Sequence, residues 1–238
     1  MYNLDLDGKT KKYIEFKLHK KYKKNNPALK IVFKDNINYN LKVLKKIKKL
    51  LENGVTFNTG KINFVLENYN DDIINAFKTF GIDNIEKKYS FVYDVVCDYL
   101  DNLWVSKNPC KFCNNKCIAT RNNHLYLKED GCCYSFEWTK NILKPIKNKK
   151  KCKYLGDNKR CQVKNISCLL FTCEYLTKSG TFNIEYNDLL LLRLFFNRKQ
   201  KLILRYNYFQ KKEAIISKLL ENNNTPFIIY LLKYEFTI

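Results

Sequence analysis

The stretch CKFCNNKCIATRNNHLYLKEDGCC, residues 110–133, and its continuation CKYLGDNKRCQVKNISCLLFTC, residues 152–173, decide how this chain is read. Nine of the ten cysteines fall between these bounds: Cys110-x2-Cys113-x3-Cys117, then Cys132-Cys133, then Cys152, Cys161, Cys168 and Cys173. Cysteines used only as small apolar residues have no reason to crowd in this way. Hydrophobic periodicity also fades here, and Pro109, Gly131, Pro145, Gly156 and Gly180 punctuate the segment. Loops with so little period need another organiser. A bound metal is one, because ligand bonds fix backbone where no continuous core can form. Structural zinc contributes about 10–16 kcal/mol of apparent folding free energy in small domains.

The residues around the cysteines suit that reading. Phe112, Tyr134, Phe136, Trp138, Tyr154, Phe171 and Tyr175 are interleaved with them, and such rings form the apolar shell that sets dielectric and solvent access around metal-bound sulfur. Gly131, just before the Cys132-Cys133 pair, fits a turn where backbone approaches closely or takes positive φ. Nine thiols suffice for two four-coordinate sites with one left over, or for one iron–sulfur cluster plus a structural zinc ion. Neighbours in an extended backbone point apart, so Cys132 and Cys133 either serve different sites or leave one of the two as packing. His124, between Cys117 and Cys132, can complete a shell or sit as a surface residue of an Asn-rich loop.

Outward from the cluster, the segment before it changes period. Residues 1–104 read as a small α/β unit. Strands are expected over Lys12–Leu18, Leu29–Phe33 and Lys61–Leu66, and helices from Asn40 to Leu51, over Asp71–Phe80 and over Ile85–Leu103. The first helix is read as closing at Asn53-Gly54 in a left-handed cap, and the second, acidic in its first turn, ends at Gly81. In the last helix Tyr89, Val92, Val96, Tyr99 and Leu103 are expected to share a buried face, with Cys97 packed on the apolar side. His19 reads as an ordinary strand residue. Residues 105–180 form the cysteine segment, and 181–238 a helical tail. There Asn187 is expected to cap the run Leu189–Phe196, which is apolar nearly all round and therefore buried. One helix is expected from Lys199 to Leu220, followed by an apolar stretch over Phe227–Phe236. The fold class is α+β with a metal-stapled centre and the helical tail packed on it.

Composition bounds the function. The formal net charge is +21, with 39 Lys, five Arg and 30 Asn among 238 residues, a usage that AT-rich codons write. Residues 106–180 carry an excess of +11, about half the total. A positive field beside thiols stabilises thiolate and attracts phosphate. The alternative function follows from this: a zinc-stabilised nucleic-acid-binding protein in which Lys147, Lys149, Lys150, Lys151 and Lys153 meet phosphate while Tyr and Trp stack on bases. The basic junction of Arg198, Lys199, Lys201 and Arg205 reads as solvated helix ends or a phosphate-binding edge. The stretch from Met1 to Lys30 alternates in charge and shows no secretory pattern. The longest apolar runs fall far short of the roughly 20 residues that span a bilayer. A cytoplasmic protein is expected, where thiols stay reduced and thiolate ligands are favoured over disulfides. No phosphate-binding Gly-rich loop, His-Glu-x-x-His helix or nucleophile elbow is present. A dithiol at Cys110-x2-Cys113 lacks the surrounding thioredoxin pattern, and radical S-adenosylmethionine enzymes space their three cysteines in the opposite order.

The order C-x2-C-x3-C, then GCC, then CKYLGDNKRCQV followed by CLLFTC resembles the YkgJ-type cysteine-cluster proteins, described as zinc- or iron-chelating domains. Cys132, Cys133, Cys152, Leu155, Cys161, Val163, Cys168 and Phe171 fall on their pattern. A similar cluster occurs in flagellin lysine N-methylases, where a tryptophan follows the Cys-Cys pair, as Trp138 does here at a longer distance. The early cysteines end at Cys117, well ahead of the Cys132-Cys133 pair instead of close beside it, and Ile166-Ser167 stands where the family carries Arg-Pro before its last cysteine. The resemblance covers residues 110–173. It implies an iron–sulfur or zinc site built on the nine cysteines Cys110 to Cys173, with a redox or protein-modification role.

Overall fold

The computed structural model describes residues 28–52, 63–111, 118, 154 and 162–221. These residues are mostly helical, with one two-stranded parallel sheet. They fall into two compact units. The first holds the described residues up to Val92 together with Asp188–Phe195, and the second holds those of Tyr93–Asn187 and from Phe196 onward. No helix among the described residues is long and apolar enough to cross a membrane.

In the first unit, β1 (Ala28–Val32) pairs in parallel with β2 (Asn63–Glu67), Ala28 opposite Asn63 and Val32 opposite Glu67. Parallel neighbours need a crossover, and α1 (Ile37–Glu52) lies in it. Asn40 fixes the turn into α1. Its side chain accepts from the Lys34 amide at 3.0 Å and donates to the Lys34 carbonyl at 2.7 Å. Leu41, Leu44 and Ile47, spaced three apart, are buried, the stripe that a 3.6-residue period puts on one face. In α2 (Asp71–Phe80), Asn70 caps the start by accepting from the Ile73 amide at 3.2 Å. The helix buries Ile73, Ala76, Phe77 and Phe80. Burial and the neighbouring Asp71 push the carboxyl of Asp72, in the first turn, above its ordinary range.

The core of this unit is completed from far along the chain by α6 (Leu190–Phe195), which packs on α1 and α2. Phe80 meets Phe195 with centroids 5.5 Å apart. Lys48 donates to the Leu194 carbonyl at 3.4 Å and lies over the Phe195 ring. The run from Leu189 to Phe196 is buried except for Arg193, which is partly exposed. Asn187 does not cap it; this residue belongs to a 3-10 turn, Tyr186–Asp188.

The helix α3 (Ile85–Lys107) runs past its expected end at Leu103. Its buried apolar residues are Tyr89, Val92, Tyr93, Val96, Cys97 and Leu100, with Asp101 buried beside them, whereas Tyr99 is 55% exposed. The expected face is corrected at Tyr99 because the steps of three and four select 89, 92/93, 96/97 and 100, and position 99 falls off that line.

In the second unit the α3 residues from Tyr93 onward hold a long irregular segment. The Tyr93 hydroxyl accepts from the Ile166 amide at 3.3 Å, the Cys97 thiol donates to the Lys164 carbonyl at 2.8 Å, and the Trp104 indole donates to the Leu169 carbonyl at 2.7 Å. Cys97 is therefore buried, as expected, and also a hydrogen-bond donor. Lys164 bridges to Asp98, whose hydrogen bond holds the ammonium above its usual range. Lys212 reaches Asp94 at 2.6 Å.

The expected single helix over Lys199–Leu220 is two, α7 (Arg198–Tyr206) and α8 (Lys212–Glu221). Asn197 and Gln200 form a capping box at the start of α7, each side chain 3.0 Å from the other's amide. The break falls at Asn207–Lys211, with Phe209 in the left-handed region at φ 58°. Its cause is tertiary and lies at the cysteine segment. The expected elements at 12–18 and 227–236, the cap at Asn53-Gly54 and His19 lie outside the described residues.

Candidate metal centre

Three of the nine cluster cysteines, Cys110, Cys168 and Cys173, are described, and all are half-buried. Cys113, Cys117, Cys132, Cys133, Cys152 and Cys161 lie outside the described residues, as do His124 and the lysines at 147, 149, 150, 151 and 153. Among the described residues, no group of three or more His, Cys, Asp or Glu side chains could hold a metal ion.

Cys168 sits on a single turn of helix, α4 (Ile166–Leu169), whose local sequence explains its placement. Asn165 precedes it as the N-cap, accepting from the Cys168 amide at 3.0 Å. Lys164, at φ 44°, turns the chain into that cap. A lone turn is unstable by itself, since nucleation costs more than one hydrogen bond returns. Here it is held by buried polar side chains. Asn165 is fully buried, and its amide group donates to the carbonyls of Asn207 at 2.8 Å and Gln210 at 2.9 Å. Ser167 donates to the Leu204 carbonyl at 2.8 Å and accepts from the Asn207 amide at 3.0 Å. Asn207 in turn donates to the Ile203 carbonyl at 2.8 Å and accepts from Lys218 at 2.7 Å. Lys218 also donates to the Gln210 side chain at 2.9 Å. Burial pushes its ammonium below the usual range, with Glu221 opposing.

This network breaks the C-terminal helix, because the carbonyls and amide freed at Asn207–Gln210 find partners in the 165–168 turn. The same break turns the Phe209 amide toward Cys168, donating to its Sγ at 3.4 Å. Amide donors to sulfur stabilise its negative charge and tune clusters bound to it. Aromatic rings gather at the same place: Tyr208 lies edge-on to Phe171 with centroids 6.3 Å apart and 6.2 Å from Phe209. Phe171 is legible in the sequence as part of an apolar shell, but Tyr208 and Phe209 are hidden in the helical period of the tail.

Past Phe171 the chain leaves the helical turn, and the Thr172 hydroxyl is buried without a partner among the described residues. Cys173 then opens α5 (Glu174–Lys178), with its carbonyl accepting from the Thr177 amide at 3.0 Å and its side chain making no capping bond. At the other end of the cluster, Asn108 and Lys111 take left-handed φ of 41° and 43° on either side of Pro109-Cys110. The Cys110 carbonyl accepts from the Ile118 amide at 2.8 Å, joining the ends of a stretch whose sequence includes Cys113 and Cys117. A second bond, from the Gln162 amide to the Tyr154 carbonyl at 2.8 Å, joins the ends of one whose sequence includes Cys161. Left-handed φ at a residue other than glycine is uncommon and tends to gather at functional sites. Of the five such residues among those described, four, Asn108, Lys111, Lys164 and Phe209, adjoin Cys110 or the Cys168 turn.

Two of the four residues of the basic junction make local contacts. Lys201 lies over the Tyr186 ring and donates to Asn187 at 3.2 Å, while Arg205 lies over Tyr206. No protein-family model, curated protein or solved structure matches this chain.

Proposed function

We propose that the chain is a cysteine-cluster metal-binding protein of the kind that the YkgJ-type spacing suggests, holding an iron–sulfur cluster or zinc through thiolates. The ligands are drawn from Cys110, Cys113, Cys117, Cys132, Cys133, Cys152, Cys161, Cys168 and Cys173. The observation that carries the reading is the Cys168 sulfur, which accepts a backbone N–H beside a group of aromatics, at the end of a turn that three buried polar side chains hold. The Cys97 thiol donates to a backbone carbonyl within the core, whereas the Cys168 sulfur is met by a backbone N–H. The donor set fits the group: soft sulfur ligands suit zinc and iron–sulfur clusters.

In this reading the residues of the chain have distinct tasks. The Phe209 amide steadies charge on Cys168, Asn165 and Ser167 fix the turn that carries it, and Phe171, Tyr208 and Phe209 limit water. When bound, an iron–sulfur cluster supplies one-electron transfer and zinc supplies a structural tie. The role is redox or protein modification if iron–sulfur is held, and stabilisation if zinc is held.

Anaerobic purification with elemental analysis and a visible spectrum tests this. Stoichiometric iron and sulfide with a brown colour, or stoichiometric zinc without colour, supports it. A folded protein that contains neither and takes up neither on reconstitution refutes it.

A further inference from the structure

We infer that the outer face of α1, in the first unit, is a binding surface for the phosphate backbone of double-stranded nucleic acid. The inference does not depend on the metal reading or on the lysines of residues 147–153. Helix α1 carries Lys42, Lys45, Lys46, Lys48 and Lys49 and a single acidic residue, Glu52, at its end. Lys42, Lys45, Lys46 and Lys49 are exposed. At 100° per residue they fall in one stripe about 100° wide, opposite Leu41, Leu44 and Ile47. Lys48 lies off the stripe, with its ammonium on the Leu194 carbonyl.

The stripe is not an ordinary solvated face. Lys42–Lys46 and Lys45–Lys49 are i,i+4 pairs, and Lys42–Lys45 and Lys46–Lys49 are i,i+3 pairs, so like charges face each other along its length and destabilise the helix. None of the four ammonium groups makes an ion pair or hydrogen bond to a residue whose side chain is described. Codon bias raises lysine everywhere but does not sort it. On α3 the same chain mixes Lys87, Lys88 and Lys107 with Glu86, Asp94, Asp98 and Asp101.

Charge complementarity selects the partner. Lys42 to Lys49 spans about 10.5 Å of helix, a length over which a duplex presents about six phosphate charges. An interfacial membrane helix would need an apolar face to insert, and the apolar face of α1 is already buried. A single strand would call for exposed rings on which to stack. The ring that α1 itself carries, Tyr39, is half-buried, sits under the Lys34 ammonium at 4.8 Å and reaches the Val32 carbonyl through its hydroxyl at 3.4 Å. Lysines are point charges without base-reading geometry, so binding through this face is independent of sequence.

The test is fluorescence anisotropy of a labelled random-sequence duplex with the full chain across about 50–200 mM salt, the range over which phosphate contacts are read. The quadruple variant Lys42→Gln, Lys45→Gln, Lys46→Gln, Lys49→Gln is compared with a charge-matched control, Lys78→Gln, Lys87→Gln, Lys107→Gln, Lys211→Gln. Four lost phosphate contacts make the slope of log affinity against log salt shallower by about 3 to 4, equivalent to about 150-fold less loss over that salt range. The control changes the slope by less than about 1. The double variant Lys42→Gln, Lys49→Gln, showing about half the effect, guards against misfolding of the quadruple one. Equal changes in stripe and control variants overturn the inference, because binding then follows net charge alone. So does a wild-type chain that binds no duplex at the lowest salt, including one that binds only vesicles rich in anionic lipid.

Discussion

The amide of Phe209 donates to the sulfur of Cys168 across 41 residues of chain, at 3.4 Å, from a backbone conformation that non-glycine residues seldom adopt. The donor comes from a helix break and the acceptor from a single helical turn, and Asn165 and Ser167 tie the two together. If Cys168 is a ligand, Cys168→Ser lowers bound iron or zinc well below the wild-type ratio, because a hydroxyl keeps the hydrogen bond but not the soft donor. Cys97→Ser leaves the metal content unchanged, since that thiol donates to Lys164 inside the core. Elemental analysis of the two variants, purified anaerobically, separates the cases.

Asn165→Ala removes a cap and two buried donors at once. The Cys168 amide and the carbonyls of Asn207 and Gln210 lose their partner, the first and last of them in part-buried positions and the Asn207 carbonyl in a buried one. Each unsatisfied buried group costs about 1–3 kcal/mol, so a loss of about 3 kcal/mol or more is expected by denaturant unfolding. Asn165→Asp keeps the acceptor and turns a carboxylate toward two carbonyl oxygens, and it is expected to be no more stable than the alanine variant.

Trp104→Phe tests how firmly the cysteine segment is held by α3. The ring stays against Phe182, whose centroid lies 4.5 Å from that of Trp104, while the bond to the Leu169 carbonyl is lost. About 1–2 kcal/mol of destabilisation is expected. A thermal-melt shift of about 2–8 °C follows, and no shift would mean that the carbonyl finds water.

Asp72 gives a pH dependence with a definite sign. Its folded-state affinity for a proton is raised by burial first and by Asp71 second. The stability it contributes is therefore fully present below the unfolded carboxylate pKa, about 3.9, and is lost as pH rises through the folded value. Asp72→Asn is expected to raise stability at neutral pH by a few tenths of a kcal/mol, the scale of most surface changes. The advantage should vanish as pH falls below the unfolded carboxylate value. Thermal melts of both proteins at acidic, intermediate and neutral pH give the comparison.

Much of the first unit is legible because its elements carry their own period. Leu41, Leu44 and Ile47 announce α1, and the acidic first turn of Asp71-Asp72 announces the start of α2. The helix break is not legible, because Tyr206 and Phe209 continue an apolar period that Asn207 barely interrupts. What breaks the helix is Asn165 and Ser167, far back along the chain, and no local pattern encodes a distant partner. Cys168 can be picked out by its spacing, whereas the amide aimed at it cannot, since every residue but proline has one. Tyr99 reads onto the wrong face because an aromatic three residues after Val96 satisfies the helical rule as well as Leu100 does.

The first unit owes part of its core to Leu190–Phe195, which the chain reaches only after the whole cysteine-rich segment has been made. During synthesis, Phe80 must wait for Phe195, far downstream, before its packing is complete. A ribosome that stalls within the cysteine segment would hold a nascent first unit that still lacks Leu190–Phe195, with the apolar surface that this helix covers left open to chaperones.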